Sequence, residues 1–360
     1  MLLRRLRCAG ERALHFLKNA TGAPVHVVAD FGAIDATDLI VDALQGDQQT
    51  RSDLNLLLAD TPADQTVLVS GATMAPDDNR LFAGIETRLV GFRVAQPDHL
   101  RKLVEISASG AVPAAQVSKA VDLATALGKT VVLAPFKGQS IATRLLERLH
   151  EAADTLLLSG AIPHELDEAL VAFGFDVGPY QAQDMVGLDV AYGDRKRQAE
   201  GRNPARRYVH ISDRMVQEGR LGRQVGVGWY RYPGGGGAVI DPLIEDLINE
   251  EARFAKVRQR AFDAAEIQHR ILMALIHESA DLLEDGTAAC AADIDTVAVC
   301  GLGFPEHLGG IVQYADKKGA EWVQTQLAAL ASEDPIVWRP GLVISDCARR
   351  KSKLSLWTRP

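Results

Sequence analysis

No stretch of this sequence approaches the roughly 20 consecutive apolar residues that cross a bilayer, so no membrane-spanning helix is expected. The apolar run within 38–44 is cut by Asp42 and closes on Gly46 and Asp47. Cysteine is scarce as well. The four present, Cys8, Cys290, Cys300 and Cys347, include no C-x-x-C pair, and no histidines cluster at metal-ligand spacing. This excludes a disulfide framework and a zinc site, and predicts reduced thiols in a cytoplasmic protein. Basic charge is also short: 39 Lys and Arg against 47 Asp and Glu leave a net charge of −8. A nucleic-acid partner is therefore not expected, since it would call for a basic face. Finally, no G-x-G-x-x-G occurs anywhere in the chain. The usual glycine turn that lets a helix N-terminus cradle a dinucleotide pyrophosphate is thus missing.

What is present is an ordinary globular composition, 47% hydrophobic and 24% charged over 360 residues. That length suffices for two or three cores. Short β-branched runs at 25–29, 38–43, 66–70 and 130–134 read as strands, with helical stretches at 47–60 and 113–127 between them. Strands alternating with amphipathic helices predict βαβ units and a largely parallel sheet. Beyond about residue 137 the strand signal stops. Apolar residues then recur at helical spacing over 138–160, 163–172, 205–219 and 241–285. The run PGGGG at 233–237 reads as a linker. At the other end, MLLRRLRCAGERALHFLKNATGAP is a basic amphipathic helix. An Arg-rich transit peptide is one reading; a helix covering an exposed sheet edge is the preferred one.

The helical half repeats itself. HEAADTLLLSG at 150–160 is echoed by HESADLLEDG at 277–286, and each is followed by an acidic-start helix and a Gly-Phe pair. The offset is 127 residues between His150 and His277 and 129 between Gly174 and Gly303. Two similar helical units that bury apolar faces against each other are expected. His150 and His277, at matching places, then belong to packing or capping. Trp229, Tyr230 and Tyr232 read first as core, Gly301-Leu302-Gly303 as a turn, and Lys317-Lys318 and Arg349-Arg350-Lys351 as solvated charges.

Several longer segments carry a resemblance. They are GFRVAQPDHLRKLVEI at 91–106, QSIATRLL at 139–146, FGFDVGPYQAQDMVGLDV at 173–190, GRLGRQVGVGWYRY at 219–232 and GLGFPEHLGGIVQYAD at 301–316. Together they resemble the 3-hydroxyacyl-CoA dehydrogenase family, of the kind fused into fatty-acid β-oxidation multifunctional enzymes. The resemblance runs from about residue 30 to the C-terminus. It implies an α/β + α fold: a truncated Rossmann-type parallel sheet at 1–136 and two duplicated helical domains of the family's C-terminal type, at 137–238 and 239–360. In the family the second helical domain stands in for the partner subunit of two-domain relatives. Roughly 60 residues of the first mononucleotide-binding half are expected to be absent, judged from usual βαβ crossover sizes.

In the resembled enzymes a His takes the proton of the 3-hydroxyl as hydride leaves for NAD, and a Glu orients that His. Carried onto this chain, the His position is Arg93 and the Glu position is Glu105. A guanidinium is a permanent cation and cannot act as the base, so an Arg93–Glu105 ion pair is expected instead. The family's Asn-Thr-Ser turn reads Gly71-Ala72-Thr73, and its Asn in the first helical segment reads Thr143. The NAD positions implied by the resemblance are Asp42, Gly46, Arg51, Thr73, Gln96 and Gln224, most of them altered in type.

The resemblance implies NAD as cofactor and acyl-CoA as ligand, with a protein partner or a second copy covering the shortened sheet. Three readings stay open. One is a divergent dehydrogenase completed by a partner that supplies the nucleotide half. Another is a non-catalytic acyl-CoA-binding or structural member of a β-oxidation complex. The last is a divergent copy with a different substrate. Without its base and phosphate turn, the isolated chain is expected to be impaired or inactive.

Overall fold

The structure is a computed structural model and describes residues 39–42, 58, 64–69, 73–74, 84–136, 138–197, 199 and 202–359. The basic N-terminal helix, the strand expected at 25–29 and nearly all of the helix expected at 47–60 lie outside these residues. So do Gly46 and Arg51.

Among the described residues the sheet has five strands: β1 (Leu39–Asp42), β2 (Thr66–Val69), β4 (Leu89–Val94), β5 (Leu103–Ala108) and β6 (Thr130–Pro135), in that spatial order. A two-residue β3 (Thr73–Met74) pairs elsewhere, with β7 (Gly138–Gln139). β1, β2 and β4 are mutually parallel, β5 is antiparallel to β4, and β6 is parallel to β5. Connection length explains the one reversal. Residues 95–102 between β4 and β5 are too few for a crossover, which needs about a dozen or more, so the chain can only turn back. The longer link from β5 to β6 holds α1 (Ala114–Ala126) and returns the chain parallel.

Both faces of the central strands are covered, which is why TVLV at 66–69 reads as an unbroken apolar run. On one face Leu68, Val90, Phe92, Val104 and Ile106 pack against Ala120 and Ala124 of α1. On the other, Leu103 and Val132 join the core of the helical half, while Val67, Val69 and Leu89 pack with Leu58 and Ile85.

The first helical unit holds α2 (Ile141–Leu158), α3 (Pro163–Phe173), α4 (Pro179–Val186), α5 (Leu188–Arg197) and α6 (Ile211–Gln217). It ends in a hairpin of β8 (Tyr230–Arg231) and β9 (Val239–Ile240). The PGGGG run is the tip of this hairpin, with its two strands paired, and is not a free tether. The expected helix at 241–285 is two helices, α7 (Pro242–Phe254) and α8 (Ala264–Asp285). Lys256 at φ 54° breaks the first, and the Asp263 carboxylate starts the second by accepting the Glu266 N–H at 2.8 Å. The helix expected at 205–219 is shorter, 211–217. α9 (Ala291–Val297) runs into a π turn at 298–302 and is followed by α10 (Ile311–Lys318), α11 (Ala320–Ala331), α12 (Pro335–Trp338) and α13 (Leu342–Arg350). No helix of the described residues is long and apolar enough to cross a membrane.

The internal repeat is structural. Asp167 on α3 accepts the backbone N–H groups of Tyr180 and Gln181 at the start of α4; Asp295 on α9 accepts those of Val312 and Gln313 at the start of α10. Asp184 at the end of α4 accepts from Trp229 and Tyr230, and Asp316 at the end of α10 from Leu354 and Ser355. Each unit therefore uses one aspartate to cap the next helix and another to fasten its closing segment.

Candidate functional site

The parallel strands β1, β2 and β4 deliver their carboxyl ends to one edge of the sheet, where open α/β sheets place ligands. Asp42 is the last residue of β1 and is buried. Arg93 lies near the carboxyl end of β4, and β5 runs back beside it with Glu105 directly opposite. The backbone of Thr73 pairs with Gln139 of β7, whose chain leads into Ser140, the N-cap of α2. The topology thus brings Arg93, Glu105, Thr143 and the backbone of Thr73 to one place.

The expected ion pair is not formed. Glu105, only 3% exposed, puts one carboxylate oxygen on the Ile141 N–H at 2.9 Å and the other on the Ala142 N–H at 3.0 Å. These are orphan donors of the first turn of α2, and the helix dipole favours a negative group there. Two fixed backbone donors have captured the carboxylate ahead of a flexible guanidinium. Burial pushes the Glu105 pKa up, against the downward pull of Arg93, Ser140 and the two N–H groups. Arg93 is left with its Nε buried and unpartnered, and it forms no ion pair among the described residues. Ser140 completes the cap: its Oγ accepts the Thr143 N–H at 3.1 Å and lies 2.9 Å from the Thr143 hydroxyl. Thr143 is therefore tied into the cap and does not face a ligand freely.

Arg93, Glu105, Ser107, Gln139 and Ser140 line a cleft with about 340 Å³ of empty space, part of it open to solvent. Ser107, Gln139 and Ser140 were not singled out from the sequence. The Ser140-x-x-Thr143 spacing at a helix start was the available signal, being an N-cap pattern. Gln139 is turned to Glu147, with its amide donating at 2.9 and 3.1 Å. Gln96 is exposed in the link after β4. Gln224 is exposed in the single turn at 223–225 and does not line the cleft.

The described residues do not by themselves make an ordinary dinucleotide site. Among the described residues, the helix N-terminus that faces the cleft, that of α2, has its first N–H groups occupied by Glu105 and Ser140, so it offers a phosphate no free donors. No glycine turn supplies another. Among the described residues no group of three or more His, Cys, Asp or Glu stands ready for a metal.

Elsewhere the polar residues have structural partners. Trp229, Tyr230 and Tyr232 are buried around Asp184 and Asp167, with the Tyr230 and Tyr232 hydroxyls donating to these carboxylates at 2.8 and 2.9 Å. Burial raises Asp167 to about 7, and Asp154 and Asp184 to about 6. His277 meets the Arg339 carbonyl at 2.8 Å. Lys318 lies over the rings of Tyr314 and Trp322, while Arg349 and Arg350 pair with Asp346. A second, shallow recess against Trp229, His164 and Asp241 contains none of the expected site residues, and Arg220 occupies its buried Asp241.

Residues 141–232 match the family described as 3-hydroxyacyl-CoA dehydrogenase, C-terminal domain. The chain is 31% identical over 304 residues to a peroxisomal bifunctional enzyme of Danio rerio, covering 81% of this chain and 42% of the relative. It is 29% identical over 314 residues to that of Cavia porcellus, covering 83% and 43%. It thus spans less than half the length of these relatives. Among solved structures it resembles 3-hydroxybutyryl-CoA dehydrogenase from Escherichia coli K12, with a TM-score of 0.70 at 19% identity over 90% of this chain and 84% of that one. It also resembles the dehydrogenase part of multifunctional enzyme 1 from C. elegans, with a TM-score of 0.65 at 21% identity over 94% and 81%. At these identities the structural likeness speaks for the fold.

Proposed function

This chain is a divergent member of the 3-hydroxyacyl-CoA dehydrogenase family, and on that premise we propose that it is an acyl-CoA-binding protein of fatty-acid β-oxidation with little or no NAD-linked dehydrogenase activity as an isolated chain. The observation that carries this reading is the state of the Arg93–Glu105 pair. The position of the base holds a cation that cannot take a proton. The position that should orient the base holds a carboxylate already committed to the start of α2. Loss of a general base alone costs about a hundred- to ten-thousand-fold in rate.

NAD is the cofactor implied by the family, and the occupied helix N-terminus argues against its ordinary mode of binding here. We place the protein in the cytoplasm, in keeping with three unpaired cysteines at Cys290, Cys300 and Cys347. A partner or a second copy covering the sheet belongs to the same proposal. Val41 on β1 and Leu133 on β6 are 51% and 58% exposed at the two sides of the described sheet.

Calorimetric titration of the purified chain with acetoacetyl-CoA and, separately, with NADH tests the reading. Binding of the thioester without NADH is expected. Micromolar NADH binding would overturn the cofactor argument, and the chain would then be assayed as a dehydrogenase.

A further inference from the structure

The cleft contains a cation that forms no contact ion pair among the described residues. The Arg93 Nε is buried and makes no hydrogen bond, although Glu105 is its cross-strand neighbour. Glu105 does not neutralise it by contact, because both carboxylate oxygens are held by the Ile141 and Ala142 N–H groups. An unsatisfied guanidinium donor in a recess is an unfavourable arrangement for the empty protein. A bound anion removes that penalty. The guanidinium is a planar fork of donors whose geometry matches the two oxygens of a carboxylate. Around it the lining adds the hydroxyl of Ser107 as a further hydrogen-bonding group.

We propose that the cleft takes the carboxylate of an acyl thioester of coenzyme A, with Arg93 as the cation that recognises it. The thioester half of this proposal rests on the acyl-CoA reading given above; the carboxylate half rests on Arg93 alone. The walls beside Arg93 are mixed, with Phe92, Ala134 and Pro135 next to Ser107. The substitution that removes the base would thus have exchanged a site for a neutral hydroxyl for one that selects a negative charge.

Glutaryl-CoA and valeryl-CoA carry acyl groups of equal carbon number and differ by the terminal carboxylate, so their comparison needs no variant. Calorimetry on the unaltered chain is expected to show glutaryl-CoA binding about tenfold or more tightly, the range of one charge-assisted hydrogen-bonded pair. In Arg93→Met, which keeps the bulk of the side chain, the preference disappears. In Arg93→Lys, which keeps the charge without the fork, part of it remains. Thermal melts of both variants establish that they are folded. Equal affinity for the two thioesters in the unaltered chain overturns the carboxylate site and leaves the acyl-CoA reading standing. Binding of free glutarate that depends on Arg93, with no binding of either thioester, supports the carboxylate site and overturns the acyl-CoA reading. Binding of none of the three overturns both.

Discussion

Arg93 and Glu105 sit opposite each other on β4 and β5, and what separates them from an acid–base pair is chemistry at one position and geometry at the other. A histidine at position 93 supplies a group that titrates near neutrality, yet it does not supply a phosphate site. We therefore expect Arg93→His to give no measurable NADH formation from 3-hydroxybutyryl-CoA. Detectable oxidation would show that residues beyond those described hold the cofactor. Glu105 has a separate, structural role. Glu105→Gln turns one amide nitrogen toward a backbone donor of α2, and is expected to cost about 1–3 kcal/mol of stability, read from urea denaturation. An unchanged midpoint would mean that α2 does not need its cap. The pairing of residues 93 and 105 was legible in the sequence through the GFRV and LVEI segments. The missing contact was not, because the competitor for Glu105 is a backbone start 36 residues further along the chain.

At the scale of elements, runs bounded by clear breakers were the readable ones. The helix expected at 113–127 is 114–126 and the strand expected at 130–134 is 130–135. Local signals failed where tertiary contacts decide. Periodicity continues from α7 into α8, but the chain turns at Lys256 and restarts on Asp263, so one apparent helix is two. The reversal at β5 follows from a short link that periodicity does not register. The repeat was visible as recurring words, whereas its working parts are the aspartates behind them. Gly178 and Gly310 exist to admit those aspartates: a Cβ would fall 2.2 Å from the Asp167 side chain in one case and 2.3 Å from that of Asp295 in the other. Gly178→Ala, at an unstrained φ of −69°, isolates the close approach from backbone strain. It is expected to cost about 1–3 kcal/mol, the range for overpacking. Gly310→Ala, where φ is 118°, adds backbone strain and should cost more. Parallel urea titrations check the order; an Ala at 178 that leaves the midpoint in place would remove Asp167 from its assigned capping role.

Over the whole molecule one apolar core joins both helical units to the sheet through Ala95, Leu103 and Val132. Arg144 on α2 reaches Glu278 and Asp285 on α8, and Arg101 reaches Asp176. The dependence of stability on pH has a definite sign. Asp167 is raised by burial from its usual acidic range to about 7. The folded chain therefore holds a proton there that the unfolded chain has released, and stability falls as pH rises through the folded value. Asp154, Asp184 and Asp295, raised to about 6, act in the same direction at slightly lower pH. His150 opposes them. Burial and the Arg195 charge hold it at about 3, so its neutral form is disfavoured as pH falls below the usual histidine range. The diagnostic window is therefore about pH 7 to 8, just above the unfolded histidine value, where Asp167 titrates while His150 is neutral in the fold and mostly neutral in the unfolded chain. Across it the urea midpoint is expected to decline, and in Asp167→Asn the decline should flatten even though the variant is weaker throughout. A midpoint that climbs over the same window would mean that the N–H groups of Tyr180 and Gln181, with the Tyr230 hydroxyl, hold the carboxylate ionised and outweigh its burial.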